Sequence, residues 1–536
     1  CGTKRFGCHG SQTGSHGLKN SSWTYARKVS QSFCLAVFLW LFLQTEYRGI
    51  DQLPYPVSLL FRIDPLAALA DFLAPGPFGW QVLWPALLIL LGTVLFGRFF
   101  CGWICPLGST LDGLGKVIGR GRRTFSPGWR RVKYYLLIGM GTATLFGVQL
   151  LGLFDPLAIF LRSLTLAVYP AYNYGLNRIF DFFYEHNVPL LSATAKNSYP
   201  FFRDNLMAFH QPIFALGLFT LIIFLTILLL EKVEHRFWCK NLCPLGGLLG
   251  LCSRYAILQR TPQKLCADCK SCDSLCRSGA VRSSGHMRSE CLLCMDCTGF
   301  CPEERVHFGL RTGSDHYVGV DLQRRGVLTA MASGVMMAPA VRIGPVTHEQ
   351  NPYLIRPPGA VAEDEFLQRC VRCAECMKVC IGRTLQPALL QAGPVGLWTP
   401  LVVPRIGYCE YNCTLCGQVC PTGAIAPLKL PEKKKNVIGL AVIKKDRCLP
   451  FAKGVECLVC EEHCPTGEKA IVMEEKELLV DGEMRRLKFP RIIDKLCIGC
   501  GICETKCPVE GASAVRIINE GESRRKRSEL LAGPYG

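Results

Sequence analysis

The sequence predicts a polytopic α-helical membrane domain joined to small α+β domains built around clustered cysteines. Three observations carry this. Four long apolar runs stand in the first half, 32 of the 536 residues are cysteine, and from residue 266 onward the cysteines recur in groups of four. Hydrophobic residues make up 49% of the chain and mean hydropathy is +0.22. This excludes a disordered chain and argues against a wholly soluble one. A secreted disulfide scaffold would be far shorter, so closely spaced cysteines point first to metal ligation. No CxxCH occurs, which argues against covalent haem.

The apolar runs cover 30–45, 80–100, 134–154 and 212–230. Most approach the roughly 20 residues that a spanning helix needs, and the first is the shortest. LIIFLTILLL (221–230) has no polar face, unlike a core helix of a soluble domain. Loop charge sets orientation. Residues 1–30 carry Lys4, Arg5, Lys19, Arg27 and Lys28 without an acid, and the loop after the second run carries Lys116, Arg120, Arg122, Arg123, Arg130, Arg131 and Lys133. Residues 46–79 have two arginines against four acids, and 155–210 are balanced. The N-terminus is therefore expected in the cytoplasm, with 46–79 and 155–210 outside. The net charge of +19 is largely a matter of topology, and nucleic acid is not needed to explain it.

The membrane half is an internal repeat. Phe61-Arg-Ile-Asp-Pro-Leu-Ala matches Leu153-Phe-Asp-Pro-Leu-Ala, and each copy precedes a run ending near CxxxCPLG. Those endings are Cys101-Gly-Trp-Ile-Cys105-Pro-Leu-Gly and Cys239-Lys-Asn-Leu-Cys243-Pro-Leu-Gly. Pseudo-symmetry would bring the two motifs face to face at the cytoplasmic surface, where four thiolates can share a cluster. A redox-active thiol pair or purely structural cysteines are the alternatives. Asp64 and Asp155 are the acids that the repeat places symmetrically, which makes them candidate proton acceptors. Asp before Pro is equally a turn residue or a helix N-cap.

Six cysteine quartets follow. Cys266, Cys269, Cys272 and Cys276, and then Cys291, Cys294, Cys297 and Cys301, have the C-x2-C-x2-C-x3-C spacing of bacterial ferredoxins. A short loop with cysteines three apart wraps one cubane, while the fourth cysteine reaches the partner cluster. One cluster is thus expected on Cys266, Cys269, Cys272 and Cys301, the other on Cys291, Cys294, Cys297 and Cys276. The remaining quartets are Cys370, Cys373, Cys376, Cys380; Cys409, Cys413, Cys416, Cys420; Cys448, Cys457, Cys460, Cys464; and Cys497, Cys500, Cys503, Cys507. The second has one extra residue in its first gap and the third has an eight-residue first gap. Proline follows the fourth cysteine at 302, 421, 465 and 508, whereas Ile381 takes that place after Cys380. Structural zinc rarely uses this spacing. Six [4Fe–4S] clusters are expected, and a seventh if the CxxxCP cysteines share one. Pairing among the last four quartets stays open, and Cys1 and Cys8 have no assignment.

Between the two cysteine-rich regions, Arg324-Arg325 precede a weakly apolar stretch, 326–341. Twin arginines before such a stretch suggest a twin-arginine export signal retained as an anchor; a plain interdomain helix is the alternative. The organisation expected is a four-helix membrane domain at 1–260 and a cytoplasmic two-cluster ferredoxin domain at 261–310. A linker and anchor at 311–345 and a periplasmic four-cluster domain at 346–536 follow.

The paired CxxxCPLG motifs with a two-cluster insert resemble the NapH-type membrane quinol dehydrogenases, with MauN and the membrane part of NosR as relatives. The twin arginines, Ile355-Arg-Pro-Pro-Gly-Ala360, Phe366 and Cys370-Val-Arg-Cys373 resemble the NapG/MauM-type ferredoxins. The chain is similar to a NapH–NapG fusion. The resemblance implies electron transfer from the quinol pool of a bacterial or archaeal inner membrane to a periplasmic cytochrome or reductase subunit. Reverse flow from ferredoxin to quinone, or electron supply for maturing another metalloenzyme, are the alternatives.

Overall fold

In the computed structural model each apolar run contributes a helix: Ser22–Gln44, Trp80–Phe96, Trp129–Leu145 and Gly217–Leu229. The structure describes residues 22–524 except 54, 75–79, 120, 122–127, 187–190, 263–275, 283–284, 301–305, 311–321, 343–350 and 481–482. The lengths depart from the sequence reading. The first run, expected to be the shortest, forms the longest helix at 23 residues, because helix begins eight residues earlier, in a polar segment. The second and fourth stop at 17 and 13 residues, each followed by irregular turns ahead of its CxxxCP motif. Among the described residues one helix, Ser22–Gln44, is long and apolar enough to cross a membrane; Val82–Phe96 is apolar but shorter.

Two compact units divide the chain. The first comprises Cys1–Leu39, Trp84–Ile138 and Thr226–Ala330; the second comprises Trp40–Leu83, Gly139–Leu225 and Met331–Gly536.

In the first unit, both CxxxCP motifs begin in a π-helical turn, Phe100–Ile104 and Trp238–Leu242, and run into helices opened by the motif proline, Pro106–Val117 and Pro244–Ser253. Proline suits that first helical position, since its missing N–H would be unpaired anyway. The strand Leu258–Pro262 pairs antiparallel with Val306–Leu310 and brackets the first eight ferredoxin cysteines. The basic loops are not simply free charge. Arg27 pairs with Asp296 at 3.0 Å, Arg98 with Glu290 at 3.0 Å, and Lys133 also binds Glu290. Removing one member of such a buried pair costs about 3–5 kcal/mol.

The second unit holds the four C-terminal quartets on short helices and antiparallel strand pairs: Leu385–Pro387 with Pro400–Val402, Leu440–Ile443 with Val515–Ile518, and the long hairpin Ile471–Val480 with Glu483–Ile492. Its core includes Ile355, Val361, Phe366, Leu415, Val419 and Ile517. Acids of the segment 46–79 are bound into it. Glu46 pairs with Lys378 at 2.8 Å and Asp71 with Arg369 at 2.7 Å, while Asp51 accepts from Thr414 Oγ1 at 2.8 Å. Gly152 is required for this packing, since a Cβ there would fall 2.5 Å from the Val371 carbonyl.

Candidate iron–sulfur centres and a buried acid pair

The quartet loops have a backbone suited to wrapping a ligand. In three of them the residues on either side of the second cysteine hold positive φ: Leu293 and Met295 around Cys294, Arg372 and Ala374 around Cys373, Gly499 and Gly501 around Cys500. A non-glycine residue pays roughly 1–2 kcal/mol for this conformation, so the strain at Leu293, Met295, Arg372 and Ala374 marks a functional loop.

Side chains converge in a crossed pattern. Cys276 lines one pocket with Cys291, Cys294 and Cys297. Cys370, Cys373, Cys376 and Cys420 line another, closed by Phe366 and Trp398. The charges of Cys409, Cys413 and Cys416 act on one another together with that of Cys380. Cys448 feels Cys457 and Cys507, while Cys497, Cys500 and Cys503 all feel Cys464. In each C-terminal set, three cysteines of one loop meet the last cysteine of another. Cys266, Cys269, Cys272 and Cys301 lie outside the described residues, as do Cys1 and Cys8.

The sets also have an order. Cys376 of the first feels Cys416 of the second. The Cys409 amide donates to the Cys500 carbonyl at 2.8 Å, and Cys503 feels Cys460. The row in the second unit thus runs from the Cys370 set to the Cys409 set, then the Cys497 set, then the Cys448 set.

The donors fit cubane clusters. Burial pushes the Cys380 and Cys420 thiols up to about 11; burial and then the Glu375 charge hold Cys373, and burial with neighbouring sulfurs holds Cys376, well above the usual thiol range. Four buried thiolates in one pocket are untenable without a cationic core between them. Backbone amides are aimed at the sulfurs, with Ile425 donating to Cys420 Sγ and Ala514 to Cys507 Sγ, both at 3.4 Å. Such bonds tune the potential of a bound cluster. Among the described residues no three His, Cys, Asp or Glu side chains converge on a single-ion site.

The two CxxxCP motifs meet. Cys105 feels Cys101 and Cys239, and Cys243 feels Cys239, Cys101 and Cys105. Burial pushes Cys239 up to about 11. The repeat supplies an arginine that sequence reasoning passed over, three residues ahead of each motif. Arg236 crosses to the first motif, donating to the Cys101 carbonyl at 3.0 Å and pairing with Asp112 at 2.8 Å. Arg98 lies against Gly246 of the second motif. The signal was legible in the shared pattern Arg-Phe-x-Cys at 98–101 and 236–239.

The repeat also brings Asp64 and Asp155 together. Each is the N-cap of its helix: Asp64 accepts from the Leu66 amide at 2.9 Å, Asp155 from the Ala158 amide at 2.8 Å. They are 0% and 2% exposed. Burial, together with the Asp155 charge, raises Asp64 well above the carboxylate range, and burial pushes Asp155 up to about 6. The two buried acids act on one another, the charge of Asp155 disfavouring charge on Asp64. Arg162 lies between them and the first set: it feels Asp155, Cys373 and Cys370, donates to the Arg372 carbonyl at 3.3 Å and stacks on Trp398.

Known proteins bear on this arrangement. The family described as "4Fe-4S binding domain" (Fer4_5) matches 78–125 and 215–262, the two segments that carry CxxxCP. The methylamine utilization ferredoxin-type protein MauM of Methylorubrum extorquens is 38% identical over 168 residues, 31% of this chain and 72% of that protein. The chain belongs to the MauM/NapG family of ferredoxin-type proteins. MauM of Paracoccus denitrificans is 36% identical over 197 residues, 36% of this chain and 83% of that protein. The ferredoxin-type protein NapG of Escherichia coli is 36% identical over 166 residues, 31% of this chain and 70% of that protein. No solved structure matches. Membership of the MauM/NapG family assigns the chain to electron transfer through [4Fe–4S] clusters.

Proposed function

We propose that this MauM/NapG-family chain is a NapH–NapG-type fusion that takes electrons from membrane quinol and passes them along a row of [4Fe–4S] clusters to a periplasmic redox partner. The row of crossed cysteine sets, beginning beside the buried Asp64–Asp155 pair, is the observation that carries this reading. Clusters bound at these sets supply one-electron carriers in series. Five crossed sets of ferredoxin cysteines lie among the described residues; Cys266, Cys269, Cys272 and Cys301 would hold a sixth cluster, and Cys101, Cys105, Cys239 and Cys243 a seventh.

The protein's own residues supply the rest. Arg162 neutralises charge between the first set and the acid pair. The pair takes up or releases a proton as charge on that set changes, and Trp398 and Phe366 keep water from the Cys370 pocket. Membrane insertion of a polytopic domain is supported by uncovered apolar faces. Trp84, Leu87, Leu88 and Leu91 are exposed on one helix, and Leu218, Phe219, Ile222 and Leu225 on another. Stripes of this kind mark lipid or protein contact. The binding of the outer-loop acids by the four-set domain favours a shared, periplasmic side.

The test is quinol-driven reduction of the purified chain, followed by visible absorbance and electron paramagnetic resonance. Native protein is expected to reduce, and Asp64→Asn and Asp155→Asn each to slow the reduction about tenfold, a barrier change of about 1.4 kcal/mol, because the pair can then no longer take up a proton as the Cys370 set gains charge. Native-like reduction in both variants would remove the acid pair from the mechanism, and no reduction of native protein would remove quinol.

A further inference from the structure

The quinol reading leaves open where the head group sits, and a small cavity in the second unit, about 30 Å³, lies against one of the cysteine sets; this inference rests on that reading. Its walls include Tyr47, Thr165, Tyr169, Phe214, Cys380 and Ile381. Two polar atoms on these walls, Thr165 Oγ1 and Tyr169 Oη, are buried without a hydrogen-bond partner, in residues only 1% and 5% exposed. Buried polar atoms in folded proteins are nearly always satisfied, so an orphan pair on a cavity wall points to a ligand. Thr165 sits in the π-helical turn Leu164–Val168, a distortion that recurs at functional sites.

Two further features fix the kind of ligand. The cavity touches Cys380, the crossed member of the Cys409 set, and Ile381, which stands where the other three C-terminal quartets have proline. An apolar branched side chain there adds to a wall that would pack on a flat ring. At the rim, Phe209 and Ile213 are exposed and lie just ahead of the apolar helix Gly217–Leu229. Glu46, held by Lys378 at 2.8 Å, and His210, which faces Arg383, are charged or polar members of the lining. The Asp64–Asp155 pair, by contrast, is closed to solvent.

We propose that this cavity binds the head group of the quinol, with its hydroxyls meeting Tyr169, Thr165 and the Glu46 carboxylate, and that electrons enter the row at the Cys380-containing set. Oxidation there breaks both O–H bonds and converts hydroquinone to quinone. The two electrons would leave singly to clusters held by the Cys409 set and a neighbouring set, and the two protons pass to Glu46 and His210 and on to water.

The experiment is a binding titration of the full, cluster-loaded chain in detergent with the fluorescent quinol analogue 2-heptyl-4-hydroxyquinoline N-oxide, read as quenching. Iron content is measured on the same samples. Native protein is expected to bind saturably. Ile381→Trp, which fills the cavity, and the double variant Tyr169→Phe with Thr165→Val are each expected to weaken binding at least about tenfold. If Ile381→Trp loses iron, the double variant decides, since it lies off the cluster loops. Unchanged affinity in the double variant, with native iron, overturns the assignment of the cavity and leaves the quinol reading intact. Absence of binding to native protein overturns both.

Discussion

Asp155 is a carboxylic acid that water does not reach, and its titration is a property of the fold. Burial lifts it from 3.8 to about 6. A raised acid favours the protonated form in the folded state, so its contribution to stability is complete below about 3.8 and is lost as pH rises through about 6. The midpoint of thermal unfolding is therefore expected to fall between about pH 4 and pH 7. In Asp155→Asn, which keeps an N-cap but cannot ionise, that fall is expected to be shallower; equal slopes in both proteins would refute this account. Cysteine identity makes a second prediction. Cys101→Ser or Cys239→Ser is expected to remove about four irons per chain, one cubane, and unchanged iron would show that the CxxxCP thiols hold no cluster.

The contact between Gly152 and the Cys370 loop acts between elements. The short helix Leu151–Phe154 approaches Val371 so closely that a methyl group at 152 meets backbone. Gly152→Ala is expected to push the loop away and cost about 1–3 kcal/mol. It should also change the resonance spectrum of the Cys370 set while the signals of the Cys448 set stay fixed. A native spectrum would show that the helix and the loop are not coupled. The helix Arg324–Arg342 makes a comparable close contact, Gly334 lying against Gly139 and Thr142.

Across the whole molecule, the prediction concerns sidedness. A reporter active only in the periplasm, fused after Gly536, is expected to be active and to lose activity when Arg324 and Arg325 become lysine. Activity of a cytoplasm-only reporter at that position would refute the export reading. The acids Glu46, Asp51 and Asp71 were legible only as a charge deficit in one loop, and their partners Lys378, Thr414 and Arg369 lie more than 290 residues away. Helix lengths were misjudged because hydropathy registers apolar side chains and not the π-helical and 3₁₀ turns that end the runs at Phe100–Ile104 and Leu230–Lys232.

What the sequence determined by itself was local. Cysteines three apart specify a loop around a cubane, and the repeated Asp-Pro and CxxxCP motifs specify that two copies of one design exist. Which fourth cysteine completes which of the last four sets, that Asp64 and Asp155 are buried where each acts on the other, and that Arg236 serves the opposite motif were decided only by tertiary structure. Spacing constrains the geometry of a few consecutive residues, whereas these pairings depend on chain segments that burial of apolar surface brings together from far apart in sequence.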